Sequence, residues 1–350
     1  MLGGVAAFYK SIDLESYSNV EYFYIQNDSD RSRPLLKILT FPLKYISYIF
    51  KCIKVQTVVI NPSFDRNSFF RDALYLFIAK NILQKRTIVF WHGWDGAFER
   101  KVRNSRIYKF LLKSQFGSVN ITITLGRIFK NKLLDLGLSP DHQFVISTVA
   151  AEDVYLKNFS IAEKFKSNNT YTLLFLSRVI VEKGIFVALE IMNQLVNINK
   201  MKNLFLIVSG EGKELQQAKN IVIEKQLQAF VRFTGYIHGE EKSRILYSSH
   251  ILLFPTSFGE GMPVSILESM LYGLYIMTSD KGAISDVIDD RNGDIYDPTY
   301  PDVFANRIRQ LVKDINRLEK VGLYNHAVAK KMYTSTVVKE RLYQLINNNG

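Results

Sequence analysis

Phe254-Pro255-Thr256-Ser257-Phe258-Gly259-Glu260-Gly261-Met262-Pro263-Val264-Ser265-Ile266-Leu267-Glu268 is the stretch on which the fold turns. The apolar run Ile251–Pro255 reads as a buried strand, a glycine-flanked loop follows it, and Pro263 is placed as the first residue of a helix. Free N–H groups at such a helix start, with Gly261 letting the backbone approach closely, make an anion site. Glu260 lies in the loop and Glu268 eight residues on, inside the helix. Carboxylates only accept hydrogen bonds, and each takes two hydroxyl protons, so the pair suits the hydroxyls of a sugar. The bland alternative makes Glu268 a surface helix residue and Glu260 an ordinary loop residue. The motif's surroundings favour the functional reading.

Working outward, apolar runs alternate with amphipathic stretches, the pattern of parallel strand–helix units. The expected strands are 21–26, 56–61, 86–91, 120–125 and 143–148, then 171–177, 203–209, 230–234, 251–255 and 274–279. Runs with so little polar alternation belong to strands covered on both faces. The polar stretch Glu163–Thr170 reads as the interdomain linker. The expected class is therefore α/β, with two doubly wound domains: residues 1–160, and residues 165–334, the closing helix near 335–350 packing back on the first. Ligands of such domains bind at the carboxyl ends of the strands.

Two further elements precede the opening stretch. In Leu176-Ser177-Arg178-Val179-Ile180-Val181-Glu182-Lys183-Gly184, two cations follow a strand and Gly184 relieves a turn into a helix. A guanidinium and an ammonium so placed would clamp a diphosphate. Ser209-Gly210-Glu211-Gly212 is a weaker glycine loop at another strand end. Together these pieces, with Phe233-Thr234-Gly235, Gly273, Lys281-Gly282 and Asn292-Gly293, resemble the retaining glycosyltransferases of family 4, which have the GT-B fold. The resemblance runs from about Tyr171 to Pro298. It implies that Arg178 and Lys183 bind the donor diphosphate and that Glu268 holds the ribose of a nucleotide sugar. Glu260, with the backbone of Gly261, Met262, Pro263 and Val264, would hold the transferred sugar and its phosphate. It further implies transfer with retention of configuration, onto a glycan or lipid-linked acceptor of cell-surface polysaccharide biosynthesis, with no metal and no other cofactor. The chain departs from the family at Gly282-Ala283-Ile284-Ser285-Asp286, where a second glycine and a glutamate are usual, and at Ala150-Ala151-Glu152-Asp153, where Asn-Gly-Val-Asp is usual.

In the first half, His92 ends a strand in Phe90-Trp91-His92-Gly93-Trp94-Asp95, where it would polarise a hydroxyl or orient the acceptor. Trp91, Trp94 and Phe98 could stack on a sugar or lipid, but aromatic residues beside a strand end are more often core. Gly3-Gly4 resembles the family's diphosphate-side glycine loop, before which the family has a central strand. Only Met1 and Leu2 precede it here, so the expectation is a reading frame that begins about one strand upstream, 5–10 residues.

Charge sets the remaining bounds. The net charge is +12, of which residues 1–165 carry +9 and residues 166–350 carry +3, so the first half expects an anionic partner. Residues 34–55 and 100–113 are basic, amphipathic and free of acids, which suits an anionic membrane surface. Neither a nucleic-acid motif nor regular aromatic interleaving supports nucleic acid as that partner. Apolar runs stop well short of the ~18 residues of a membrane span, and the single cysteine, Cys52, excludes an intramolecular disulfide. A cytoplasmic chain, peripheral at the membrane, is the resulting expectation. Asp28-Ser29-Asp30 reads as a solvated turn rather than a metal-binding triplet. Glycoside hydrolysis would use two carboxylates but leaves the Arg178/Lys183 pair without a role. A non-catalytic partner of the same fold, or a nucleotide-sugar epimerase, are the alternatives.

Overall fold

The computed structural model describes residues 4–25, 34–139, 144–146, 156, 159–166, 170–259 and 261–347. It divides into two compact units, Met1–Thr148 with Val338–Gly350, and Val149–Val337.

The first unit runs α1 (Gly4–Ile12), α2 (Pro34–Ile53), β1 (Thr57–Ile60), β2 (Ser63–Phe64), α3 (Arg66–Phe77), β3 (Arg86–Trp91), β4 (Gly93–Trp94), α4 (Gly96–Asn104), α5 (Arg106–Leu111), β5 (Ile121–Thr124), α6 (Arg127–Asp135) and β6 (Phe144–Ile146). β1, β3, β5 and β6 form a parallel sheet in that order, and β2 pairs with β4. Ile88, Val89 and Phe90 of β3 are fully buried, as a strand with covered faces requires. Asp65 caps α3 by accepting from the Asn67 and Ser68 N–H groups, and Asp95 caps α4 by accepting from Ala97 N–H, each worth ~1 kcal/mol. α5 continues as a π-helical turn, Leu112–Phe116, whose Leu112 and Phe116 enter the core beneath α2 and α3.

Among the described residues β1 has one sheet neighbour, β3. Beside it opens a groove of about 970 Å³, lined by residues 19–25 and 54–61 and by Val5, Ala6 and Tyr9 of α1. The expected strand at 21–26 does not form: residues 21–24 have no regular structure, Ile25 is a bend, and Gln26 lies outside the described residues. An extended segment becomes a strand only when a neighbour takes its N–H and C=O groups, and this one meets the groove instead.

The second unit runs α7 (Ile161–Phe165), β7 (Tyr171–Leu176), α8 (Ile185–Asn193), β8 (Leu204–Ser209), α9 (Leu215–Glu224), β9 (Val231–Gly235), α10 (Gly239–Ser248), β10 (Ile251–Phe254), α11 (Val264–Leu271), β11 (Tyr275–Thr278), β12 (Gly293–Ile295), α12 (Pro301–Leu311) and α13 (Ile315–Met332). Its sheet has the order β12-β11-β10-β7-β8-β9, parallel throughout. The chain proceeds from β7 outward to β9, then returns to β10 on the other side of β7, so β7 and β10 flank a topological switch point. β12 had no counterpart among the expected strands, because a three-residue strand opening on glycine shows no apolar run.

The stretch Glu163–Thr170 is not the linker. Ile161 and Phe165 anchor α7 in the second core, and Lys164 is buried; residues 167–169 lie outside the described residues. The last helix, α14 (Ser335–Asn347), is counted with the first unit from Val338 onward. There Tyr343 stacks on Tyr17 with ring centroids 3.7 Å apart, and Arg86 donates to the Leu345 and Ile346 carbonyls at 3.2 and 2.7 Å.

Candidate functional site

The loops that leave β7 and β10 meet at the switch point of the second unit, and a glycine makes the meeting possible. Gly184 has φ 84°, and a Cβ there would stand 2.0 Å from the Pro255 carbonyl oxygen, so no other residue fits. The Glu182 carbonyl accepts from the Ser257 and Phe258 N–H groups at 2.9 and 3.0 Å, stitching the loops together.

This stitching brings Phe258 within reach of both candidate cations. Lys183 Nζ stands 4.5 Å from the Phe258 ring centroid and the Arg178 guanidinium 5.9 Å from it. The ring quadrupole attracts both, holding two like charges in one place. Arg178 is exposed, Lys183 is buried and Phe258 is 40% exposed, so the cluster is open on one side. The glycine loop Ser209–Gly212, weak as a motif, proves to be the support of the Arg178 loop. Val179 N–H donates to the Glu211 carbonyl at 2.9 Å, and a Cβ on Gly210 would collide with the Ser177 carbonyl at 1.9 Å.

α11 begins at Val264, with Pro263 in the capping position rather than as the first helical residue. Its extended ψ of 118° makes it the half-in residue before the first turn, a position that proline's fixed φ also allows. Pro263 has no side-chain acceptor with which to cap this start, and its ring leaves the first N–H groups of the helix directed into the loop. Met262 and Pro263 are buried and Val264 is exposed. Ala283 N–H donates to the Gly261 carbonyl at 3.2 Å, and Ser279 Oγ donates to the Thr256 carbonyl, so the loop after β11 fixes the one after β10. Glu260 lies outside the described residues.

Glu268, one turn into α11, is 6% exposed. Lys242 Nζ of α10 donates to its Oε1 at 2.7 Å. A buried carboxylate is retained as a charge only when paired and hydrogen-bonded, and Lys242 supplies the pair. Sequence reading missed Lys242 and Phe258. Lys242 follows two glutamates on an amphipathic helix with no motif around it, and Phe258 stood inside the decisive stretch but looked like any loop aromatic. Near the end of β9, exposed Tyr236 stacks beside His238, centroids 5.9 Å apart.

In the first unit, His92 Nε2 lies 3.2 Å from Asn61 Oδ1, which also accepts from Tyr9 Oη at 2.6 Å. Phe90 and Phe8 pack on the imidazole at centroid distances of 4.0 and 5.3 Å. Burial pushes its pKa down to about 3, so the ring is neutral and its Nε2–H is the donor to Asn61. Trp91, Trp94 and Phe98 are core residues around Phe64, and Trp94 Nε1 donates to Glu99 at 2.7 Å. Gly4 opens α1; Gly3, Asp28-Ser29-Asp30 and Ala150–Asp153 lie outside the described residues.

Residues 157–327 match the sequence model of the glycosyl transferases group 1. An uncharacterized glycosyltransferase of Methanocaldococcus jannaschii is 26% identical over 295 residues, 80% of this chain and 72% of its own length. The amylovoran biosynthesis glycosyltransferase AmsK of Erwinia amylovora is 22% identical over 59% of this chain and 50% of its own length. The crystal structure of HepE of Anabaena with UDP superposes with a TM-score of 0.75 at 12% identity, covering 98% of this chain and 96% of that one. The matched domain falls within the unit in which the β7 and β10 loops gather two cations, a helix start and a buried carboxylate. Residues 157–327 therefore form a glycosyl transferases group 1 domain, in a chain built on the GT-B fold.

Proposed function

We propose that the protein transfers a sugar from a nucleotide-sugar donor, with retention of anomeric configuration and without a metal, to a glycan or lipid-linked acceptor of cell-surface polysaccharide biosynthesis. The observation that carries this reading is the convergence of Arg178 and Lys183 on Phe258, in the loop that leads from β10 into α11, with Glu268 one turn into that helix. A leaving nucleoside diphosphate gains negative charge as its glycosidic bond breaks. Cations and N–H groups held in place beforehand stabilise that charge without reorganising, the role a metal plays elsewhere. Glu268 accepts the ribose hydroxyls while Lys242 pairs with it from α10. Glu260 and the Gly261–Val264 backbone hold the sugar being transferred.

His92 serves as a neutral hydrogen-bonding group oriented by Asn61, for a hydroxyl of donor sugar or acceptor. A pKa near 3 removes it as a source of protons at neutral pH. The UDP bound by HepE and the polysaccharide named for AmsK support a uridine-nucleotide donor and a polysaccharide product.

The test is nucleotide release from a panel of sugar donors, with and without lipid-linked and free-glycan acceptors. Glu268→Ala should weaken donor binding, and Arg178→Ala or Lys183→Ala should each cost about tenfold or more in donor affinity. Glu260→Ala should lower turnover with donor binding kept. Binding without release for every donor would replace this reading with that of a non-catalytic partner, and a product with inverted donor-sugar stereochemistry at one carbon with that of an epimerase.

A further inference from the structure

Three helices cover one face of the first unit, and each turns large apolar side chains outward as well as inward. The inward set is the core: Tyr48 and Cys52 of α2, Phe69 and Leu76 of α3, and Leu112 and Phe116 after α5. The helices lie side by side, since Tyr45 of α2 stacks on Tyr75 of α3 at 4.5 Å and Phe70 of α3 meets Tyr108 of α5 at 5.6 Å. On the outer side, Leu43, Ile46, Phe50 and Ile53 form a ridge along α2 at helical spacing, each at least 50% exposed. Phe70, Leu74 and Phe77 continue it on α3, and Ile107 and Phe110 stand out from α5 at 70% and 69% exposure. A core needs one apolar face per helix; these three present two.

The same surface is basic. Lys54, Arg66, Arg100, Lys101, Arg106 and Lys113 are exposed on and beside these helices. Residues 34–55 and 100–113 hold no acid, and Asp72, the acid of α3, is buried against Arg71. A second copy of the chain would bring this charge against itself, since a two-fold interface places the same patch on both sides. A nucleic-acid backbone would neutralise the cations but leave the outward ridges in water.

We propose that the outer surface of α2, α3 and α5 seats the first unit on an anionic lipid bilayer, the ridges entering the headgroup–acyl boundary and the lysines and arginines meeting lipid phosphates. The proposal goes beyond the transfer reaction and does not depend on it. Sedimentation with vesicles of phosphatidylcholine, and of phosphatidylcholine with phosphatidylglycerol at about three to one, should show at least about tenfold tighter binding to the anionic vesicles, weakened by salt. The double variants Phe50→Ser/Ile53→Ser and Ile107→Ser/Phe110→Ser should each lose about tenfold. Arg100→Glu/Arg106→Glu should lose the preference for anionic lipid. Thermal unfolding and nucleotide binding by the second unit should be unchanged in all of them, which separates this surface from the donor site. Equal binding to both vesicles would overturn the proposal, as would ridge variants that bind like the parent. So would a dimer that the ridge variants dissociate, in a chain that binds neither vesicle.

Discussion

At Glu268 a buried carboxylate meets Lys242 Nζ at 2.7 Å, and the consequence of losing the lysine follows from burial. Removing one partner of a buried pair leaves the other's charge poorly compensated, so Lys242→Met should cost about 3 kcal/mol in urea unfolding. It should also weaken donor binding, and Lys242→Met/Glu268→Gln should recover part of the stability, a coupling a double-mutant cycle reads directly. Gly184→Ala acts through the backbone instead. With φ at 84° and a methyl group directed at the Pro255 carbonyl, it should lose about 1–3 kcal/mol and displace Lys183 from Phe258. His92 gives the pH dependence. Its folded pKa, about 3, lies below the ordinary 6.5, so between those values the unfolded chain binds a proton that the folded one does not. Stability should therefore fall as pH falls through this window, and His92→Gln should flatten the fall in a series of melts.

Among the elements, α7 shows most plainly what a sequence hides. Lys164 reads as one more polar residue in a run of them, yet its Nζ donates to the carbonyls of Leu246 and Tyr272 at 3.1 and 2.7 Å, where α10 and α11 end. Helices leave their last carbonyls without partners, and here one buried side chain serves two helix ends. Burial holds the Lys164 ammonium well below its usual pKa. Lys164→Met should destabilise the second unit by about 2 kcal/mol, measured by urea unfolding, because two carbonyls lose their donor. The strands were legible because apolar runs report burial directly, and the Arg178, Lys183 and Glu268 positions because strand ends precede them. Lys164, Lys242 and Phe258 were not, since their roles depend on partners 26 to 108 residues away or on a ring packed between loops.

At the scale of the whole chain, the C-terminal helix returns to the unit that the N-terminus began. Tyr343 on Tyr17, Glu340 on the Tyr17 hydroxyl at 2.9 Å and Arg86 on the last carbonyls of α14 fasten it there. Truncation before Ser335 should therefore expose the first unit, rather than the second, to limited proteolysis, with fragments identified by mass. The charge asymmetry pointed to the first unit from the outset, and the helices that carry it proved to bear outward ridges as well. Polar composition does not mark the unit boundary, because Glu163 and Lys164 belong to a short helix that Ile161 and Phe165 anchor in the second core.

The side of β1 that faces the groove, where no strand pairs with it among the described residues, carries a consequence for amide exchange. Arg86 N–H donates to the Gln56 carbonyl, and successive residues of a strand point their backbone groups to opposite sides. Val58 and Ile60 therefore share the β3 side with Gln56, while Thr57 and Val59 turn their N–H groups toward the groove. Deuterium should enter the strand with a period of two, fast at Thr57 and Val59 and slow at Val58 and Ile60, in a sheet whose inner strand β3 exchanges slowly throughout.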